Sequence, residues 1–284
     1  MGRFSVRANC DSAQFWEAFD FHYGGHPRLP DDGFCDFSLS IKPPSVLQSI
    51  LRRQITVEID GDQPFLPLPY SQAYPLFEWG LNWCVSMHVH RWILVHAAVV
   101  ERGGKALILP APPGSGKSTL CAALVSRGWR LLSDELAMLD PVTLDLHPFP
   151  RPVSLKNRSI DIIRAFASPD AVGPVFVDTH KGDVGHLKVP DASRAAADRT
   201  AQPGWIVFPR YRAGADLTLQ AIPHAEGALG LIDNSFNHER LGASAFRALA
   251  GATALCGTYR FEYSRLDDAI ACFDRLAAGA YGEG

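Results

Sequence analysis

Ala111-Pro112-Pro113-Gly114-Ser115-Gly116-Lys117-Ser118-Thr119 follows the apolar run Ala106 to Leu109 and opens into a helical pattern. A Walker A loop requires that strand, loop and helix context. Its glycines let the backbone curl until successive N–H groups point at phosphate oxygens, and the helix N-terminus adds partial positive charge. In that frame Pro113, Gly114, Ser115, Gly116, Lys117, Ser118 and Thr119 bind the phosphates of a nucleotide, and the loop by itself does not choose ATP over another phosphate donor. Lys117 reaches the β- and γ-phosphates, and the Ser118 hydroxyl ligates Mg²⁺. Ala111 stands where the motif usually has glycine, and its methyl group is compatible with a negative φ.

Working outward, Trp92 to Val100 is β-rich, and Gly103-Gly104 supply the positive φ of a tight hairpin into Ala106 to Leu109. With those glycines as the turn, His96 lies opposite Ala111, beside the loop. A histidine on an apolar strand is commonly a packed core residue. The register makes His96 a candidate to touch the γ-phosphate or to orient a neighbouring acid. Downstream, Leu120, Cys121, Leu124 and Val125 line one side of a helix from Ser118 to Arg127, with Gly128 as its stop. Trp129 to Leu132 is strand-like and ends in Ser133-Asp134-Glu135. One helix and a return strand separate Lys117 from Asp134, so crossover geometry predicts neighbouring strand ends. Asp134 and Glu135 are then candidates for catalysis, with Asp134 also able to hold Mg²⁺.

Weaker candidates for substrate contact are Arg151 and Lys156, with Arg158 beside them, and Lys181 in a segment read as a mobile loop around Thr179 to Gly182. Solvated surface charge is the competing explanation for each. His88 and His90 would face opposite ways on a helix, which argues against a metal pair. Trp79, Trp83 and Trp92 suit core packing better than base stacking.

Residues 1 to about 68 read as short strands and turns, with Cys35, Phe37 and Leu39 in one alternating run and Ile55, Val57 and Ile59 in another. Ala73, Leu76, Phe77, Leu81, Cys84 and Met87 then mark a helix capped by Ser71 and ending near His88. Further on, Trp205 to Pro209 and Cys256 to Tyr263 read as strands, and Ala243 to Leu255 and Leu266 to Ala277 as helices.

The 284 residues carry 27 Lys plus Arg and 30 Asp plus Glu, for a net charge of -3. The basic residues are scattered, which argues against nucleic acid as a partner. Six cysteines without a C-x-x-C pair read as free thiols in a reducing compartment. No apolar run suits a signal peptide or a membrane span, so the expectation is a cytoplasmic protein without membrane contact.

Val95-His96-Ala97-Ala98, Pro113-Gly114-Ser115-Gly116-Lys117-Ser118, Arg127-Gly128 and Leu132-Ser133-Asp134-Glu135 resemble HPr kinase/phosphorylase in order and spacing. Adding Glu78-Trp79-Gly80-Leu81-Asn82-Trp83 and Arg151-Pro152-Val153-Ser154-Leu155-Lys156, the chain looks closest to the HPr-kinase-related kinase A group. The resemblance to HPr kinase proper covers roughly residues 92 to 160, and that to the A group nearly the whole chain. It implies an α/β fold with the P-loop kinase core shared with phosphoenolpyruvate carboxykinase, over 69–284, and an N-terminal α+β extension over 1–68. By resemblance, Asp134 matches the family's catalytic acid, His96 a histidine close to it, and Glu135 replaces a second aspartate. Ala111 replaces the family's glycine, and the later glycine- and arginine-bearing signature segment has no clear counterpart. Relatives of the A group are associated with a small PqqD-like peptide-binding protein, which implies a protein or peptide substrate; HPr kinases also form homo-oligomers.

The resulting expectation is an ATP- and Mg²⁺-dependent transfer of the γ-phosphate to a Ser or Thr hydroxyl of a protein or peptide. A small-molecule kinase and a nucleotide-binding or ATP-hydrolysing regulator stand as alternatives.

Overall fold

The structure is a computed structural model that describes residues 2–30, 32–44, 53–112 and 114–279. It is a mixed α/β molecule with several sheets. The N-terminal part runs β1 (Val6–Cys10), α1 (Ala13–Tyr23), β2 (Phe37–Lys42), β3 (Gln54–Ile59), β4 (Leu68–Pro69) and α2 (Ala73–His88). The central part is β5 (Ile93–Arg102), β6 (Lys105–Pro110), α3 (Lys117–Ser126), β7 (Arg130–Ser133), β8 (Leu136–Leu139), β9 (Leu146–His147) and β10 (Val153–Lys156). Then come α4 (Arg158–Phe166), β11 (Phe176–Thr179), β12 (Gly182–Leu187), α5 (Asp191–Ala195) and β13 (Gln202–Tyr211). The chain closes with β14 (Thr218–Ala221), α6 (His224–Asp233), α7 (His238–Leu241), α8 (Ala243–Ala254), β15 (Gly257–Tyr263) and α9 (Leu266–Ala277).

The main sheet has the order β14-β15-β13-β6-β5-β8-β9, with β7 also paired to β5. Its strand β5 is buried on both faces because alternate residues enter different cores. Ala98 and Val100 face a layer of α3 and α9, while Val95, Ala97 and Val99 face a layer containing Leu231 and Leu249. The β5–β6 hairpin turns at Gly103 (φ +62°) and Gly104 (φ +83°), and Arg102 pairs with Lys105 and Ala97 with Pro110. That register is the one read from the sequence.

Helix α3 has Leu120, Cys121, Ala122, Ala123, Leu124 and Val125 buried. A helix so apolar on every side belongs in the middle of a core. It stops at Gly128 (φ +91°), where Gly128 N donates to Val125 O (3.1 Å) and Trp129 N to Leu124 O (3.1 Å), a glycine-terminated C-cap.

Several expectations change. Strand β7 does not neighbour β6: β5 lies between them, antiparallel to both. Asp134 and Glu135 do not end a strand outright, because β8 resumes at Leu136 along the same edge of β5. Ser71 is not a cap; it sits in a 3₁₀ turn over Tyr70–Gln72, and α2 begins at Ala73 without a capping side chain. The segment around Thr179 to Gly182 is the tip of the β11–β12 hairpin, tied by Thr179 Oγ1 donating to Gly182 O (2.6 Å). The N-terminal residues hold an 11-residue helix, α1, capped by the Ser12 hydroxyl, which accepts from Phe15 N (3.3 Å). Helix α2 packs on β2 and β3, so Phe15, Tyr74, Phe77, Leu39 and Val57 share one core. Among the described residues no helix is long and apolar enough to cross a membrane. All six cysteines are unbridged.

Candidate active site

Strand β5 brings the predicted residues together. On one side β6 ends at Pro110 opposite Ala97, so the glycine loop departs there. On the other side β7 ends at Ser133 opposite Val99 and β8 resumes at Leu136 opposite His96. Asp134 and Glu135 therefore occupy an interruption level with Ala97 and Ala98, across the strand from the loop. This placement, rather than adjacency of parallel strands, gathers loop and carboxylates.

Within the loop Gly114 (φ +86°) and Gly116 (φ +90°) take the left-handed conformation that glycine tolerates. Gly116 has a second reason to lack a side chain, since a Cβ would lie 2.8 Å from the Tyr263 hydroxyl and 2.9 Å from Tyr211 Cβ. Tyr211 N donates to Ser115 O (3.0 Å) and Tyr263 OH to Gly116 O (3.3 Å), fastening the loop to β13 and β15. Ala111 is buried and is not among the non-glycine residues with positive φ, which accounts for the tolerated methyl. Pro113 lies outside the described residues. Ser118 and Thr119, half-buried, follow Lys117 in the first turn of α3. A glycine loop meeting a helix N-terminus is suited to an anion.

Lys117 opens α3 and is buried, with Nζ 3.0 Å from His96 Nε2. Burial and the Lys117 charge pull His96 down to about 4, so its neutral ring accepts from the ammonium. Burial also lowers Lys117, against the pull of Asp134 and Glu135. Asp134 is pushed up to about 6 by burial, with Glu135 adding, while Lys117, the Ser118 hydroxyl and the Ser154 amide work the other way. Its Oδ2 accepts from Ser154 N (3.2 Å), and its buried Oδ1 has no hydrogen-bond partner of good geometry among the described residues. Burial pushes Glu135 up, but Arg151, Lys117, Lys181 and Lys156 together hold it below the usual carboxylate range. Asn82 donates to Glu135 Oε2. Two adjacent carboxylates thus differ, one near neutrality in its proton affinity and one firmly ionised.

The cleft beyond Asp134 is walled by Glu78, Trp79, Asn82, Arg151, Ser154 and His186. Arg151 is not solvated surface charge; it is buried, with its guanidinium 3.7 Å from Glu78 Oε2. Glu78 Oε1 accepts from Tyr23 OH (2.7 Å) and Tyr74 OH (2.8 Å). Lys181 Nζ lies 4.7 Å over the Trp79 ring, at the cleft's rim, and Lys156 is exposed at the end of β10. Arg158 is exposed on α4 and joins none of these contacts. Trp92 is core, as expected, but Trp79 faces the site as well. Sequence reading missed Glu78, Asn82, Ser154 and His186 as site residues; Glu78, flanked by aromatic and apolar residues on a helix, was the one with a legible signal. Among the described residues no group of three or more His, Cys, Asp or Glu is placed to hold a metal ion by itself.

No protein-family model matches the chain, and no curated protein matches it. Among solved structures, the HPr(Ser) kinase/phosphatase from Coxiella burnetii aligns at 12% identity and a TM-score of 0.30, over 66% of this chain and 95% of that one.

Proposed function

We propose that the site is that of an ATP-dependent phosphotransferase acting on a Ser or Thr hydroxyl of a protein or peptide. The observation that carries this reading is the Asp134 carboxyl, whose Oδ1 has no hydrogen-bond partner among the described residues and whose affinity for a proton lies near pH 6, within reach of the Lys117 charge where the glycine loop enters α3. Loop amides from Gly114 to Lys117 and the start of α3 bind the phosphates, and the Lys117 ammonium stabilises charge on the transferring group. His96, neutral, holds the ammonium in place.

Ser118 and Asp134 fit Mg²⁺, since a hydroxyl and an orphaned carboxylate oxygen are hard donors and this ion takes its other ligands from water and phosphate. When bound, Mg²⁺ neutralises phosphate charge. Asp134 then accepts the acceptor's hydroxyl proton as the new O–P bond forms and the bond to the departing ADP oxygen breaks. Glu135 stays ionised under the combined charge of Arg151, Lys117, Lys181 and Lys156. The cleft beyond Asp134 measures about 10 Å³, room for roughly one water molecule.

The test is phosphate transfer from γ-labelled ATP with Mg²⁺ in an extract of the protein's own cells, with Asp134→Asn alongside. Label on a protein or peptide, absent with the variant, is expected. Label confined to metabolites or free phosphate would overturn the proposal.

A further inference from the structure

A triphosphate lying in the glycine loop has two ends, and the fold gives them different surroundings. Lys117 and Asp134 mark the γ-phosphate end, because Lys117 Nζ meets His96 on β5 and Asp134 lies across that strand. The other flank of the loop belongs to β13, on the far side of β6 from β5, with β15 beyond it. Strands β6, β13 and β15 are parallel, so all three finish at the edge where the loop begins. Ile206 pairs with Ile108; β6 stops two residues later at Pro110, whereas β13 runs five residues further, to Tyr211. It therefore overruns β6 by about 10 Å at strand rise and stands beside the loop. There Tyr211 N donates to Ser115 O (3.0 Å), and a Cβ on Gly116 would lie 2.9 Å from Tyr211 Cβ, so the tyrosine side chain leaves β13 at the wall of the loop. Its ring is backed by the buried Tyr263, with centroids 5.7 Å apart and planes at 69°, and the residue is 51% exposed.

We propose that the Tyr211 ring stacks on the base of the phosphate donor, which makes that donor a nucleoside triphosphate and not a base-free polyphosphate. With the γ-phosphate at Lys117, the phosphate chain runs back from β5 toward β13, and the ribose leaves the loop on the Tyr211 side. Strands β5 and β13 are two strand spacings apart, about 10 Å, a span that the phosphates and ribose cover. An aromatic face open to water at that point takes a base by stacking, which every base offers through its π-face. The loop is fastened by the Tyr211 backbone N–H, which any residue but proline would supply, so the side chain is left for the ligand. The inference rests on the glycine loop being a triphosphate site, as read above, and not on the acceptor or the transfer step.

The test is calorimetric titration of the full chain, with Mg²⁺ present, by ATP and by ribose 5-triphosphate, which keeps the phosphates and sugar and lacks the base. Wild type binds ATP about tenfold more tightly than ribose 5-triphosphate. Tyr211→Ala brings ATP down to the affinity of the base-free ligand and leaves the latter unchanged, while Tyr211→Phe keeps the preference for ATP. Should Tyr211→Ala fail to fold, Tyr211→Leu, which keeps bulk against Tyr263 but has no π-face, takes its place with the same expectation. Equal affinity of wild type for the two ligands, a preference for ATP that survives loss of the ring, or a parallel loss of both ligands on replacing Tyr211 would overturn the inference and leave the triphosphate site standing. Binding of neither ligand to wild type would sink the triphosphate reading of the loop itself, and this inference with it.

Discussion

Asp134→Asn is expected to make the protein more stable at pH 8, although it removes the residue assigned the proton-transfer step. Asp134 is 5% exposed, and its folded-state proton affinity sits at about 6 against an ordinary 3.8. The unfolded chain releases this proton above about pH 4 and the folded chain only above about 6, so between those values folding takes up a proton. Above pH 6 the ionised group therefore opposes folding by about 3 kcal/mol, from a shift of roughly two units at 1.36 kcal/mol each. The attraction to Lys117 is already contained in that net shift. Asparagine keeps the shape and removes the charge, so the penalty goes with it. For a chain of 284 residues the gain corresponds to about 5 °C in Tm. Below the unfolded value of about pH 4 both states are protonated and the gain vanishes. The assay is thermal unfolding of wild type and variant without nucleotide, across pH 4 to 8. A variant less stable than wild type at pH 8, or a difference constant with pH, would refute the reasoning that burial sets Asp134 apart.

Three other outcomes follow from the same geometry. Arg151→Met leaves Glu78 buried without its cation and costs about 3–5 kcal/mol in urea unfolding, while adding Glu78→Gln recovers much of that loss; strictly additive costs would contradict a coupled pair. Gly116→Ala forces a methyl to within 2.8 Å of the Tyr263 hydroxyl at a φ of +90°, so it lowers stability by about 1–3 kcal/mol and weakens nucleotide binding, and an unchanged melting curve would refute the close approach. In the free protein, without nucleotide or Mg²⁺, the Asp134 carboxyl gives up its proton near pH 6 while His96 is already neutral above about 4, so an NMR titration of the Asp134 carboxyl carbon has its midpoint near 6; a midpoint near the ordinary 3.8 would remove burial as the cause.

What the sequence made legible was local. Gly103-Gly104 fixed the β5–β6 register, and the glycine loop with its helix lies within consecutive residues, so turn chemistry and spacing placed Lys117 and His96 correctly. Asp134 and Glu135 were rightly grouped with the loop but for the wrong geometric reason, because an antiparallel strand inserted between β6 and β7 leaves no local trace. For Arg151 the sequence left substrate contact and surface charge in competition, because arginine is usually exposed; its burial depends on Glu78, some seventy residues earlier, and on tyrosines from α1 and α2. Helix α1 carried its own signal in Ser12 followed by Phe15, Ala18 and His22, which the surrounding glycine and proline punctuation obscured.

The central claim, that the glycine loop and the carboxylates across β5 form one nucleotide site, is tested most directly by calorimetric titration of Mg²⁺ and ATP into wild type, Lys117→Met and Asp134→Asn. The account predicts saturable binding to wild type, its loss with Lys117→Met, and retained ATP binding with Asp134→Asn at a weakened dependence on Mg²⁺. No heat of binding to wild type at millimolar ATP, or binding indifferent to Lys117, would contradict it.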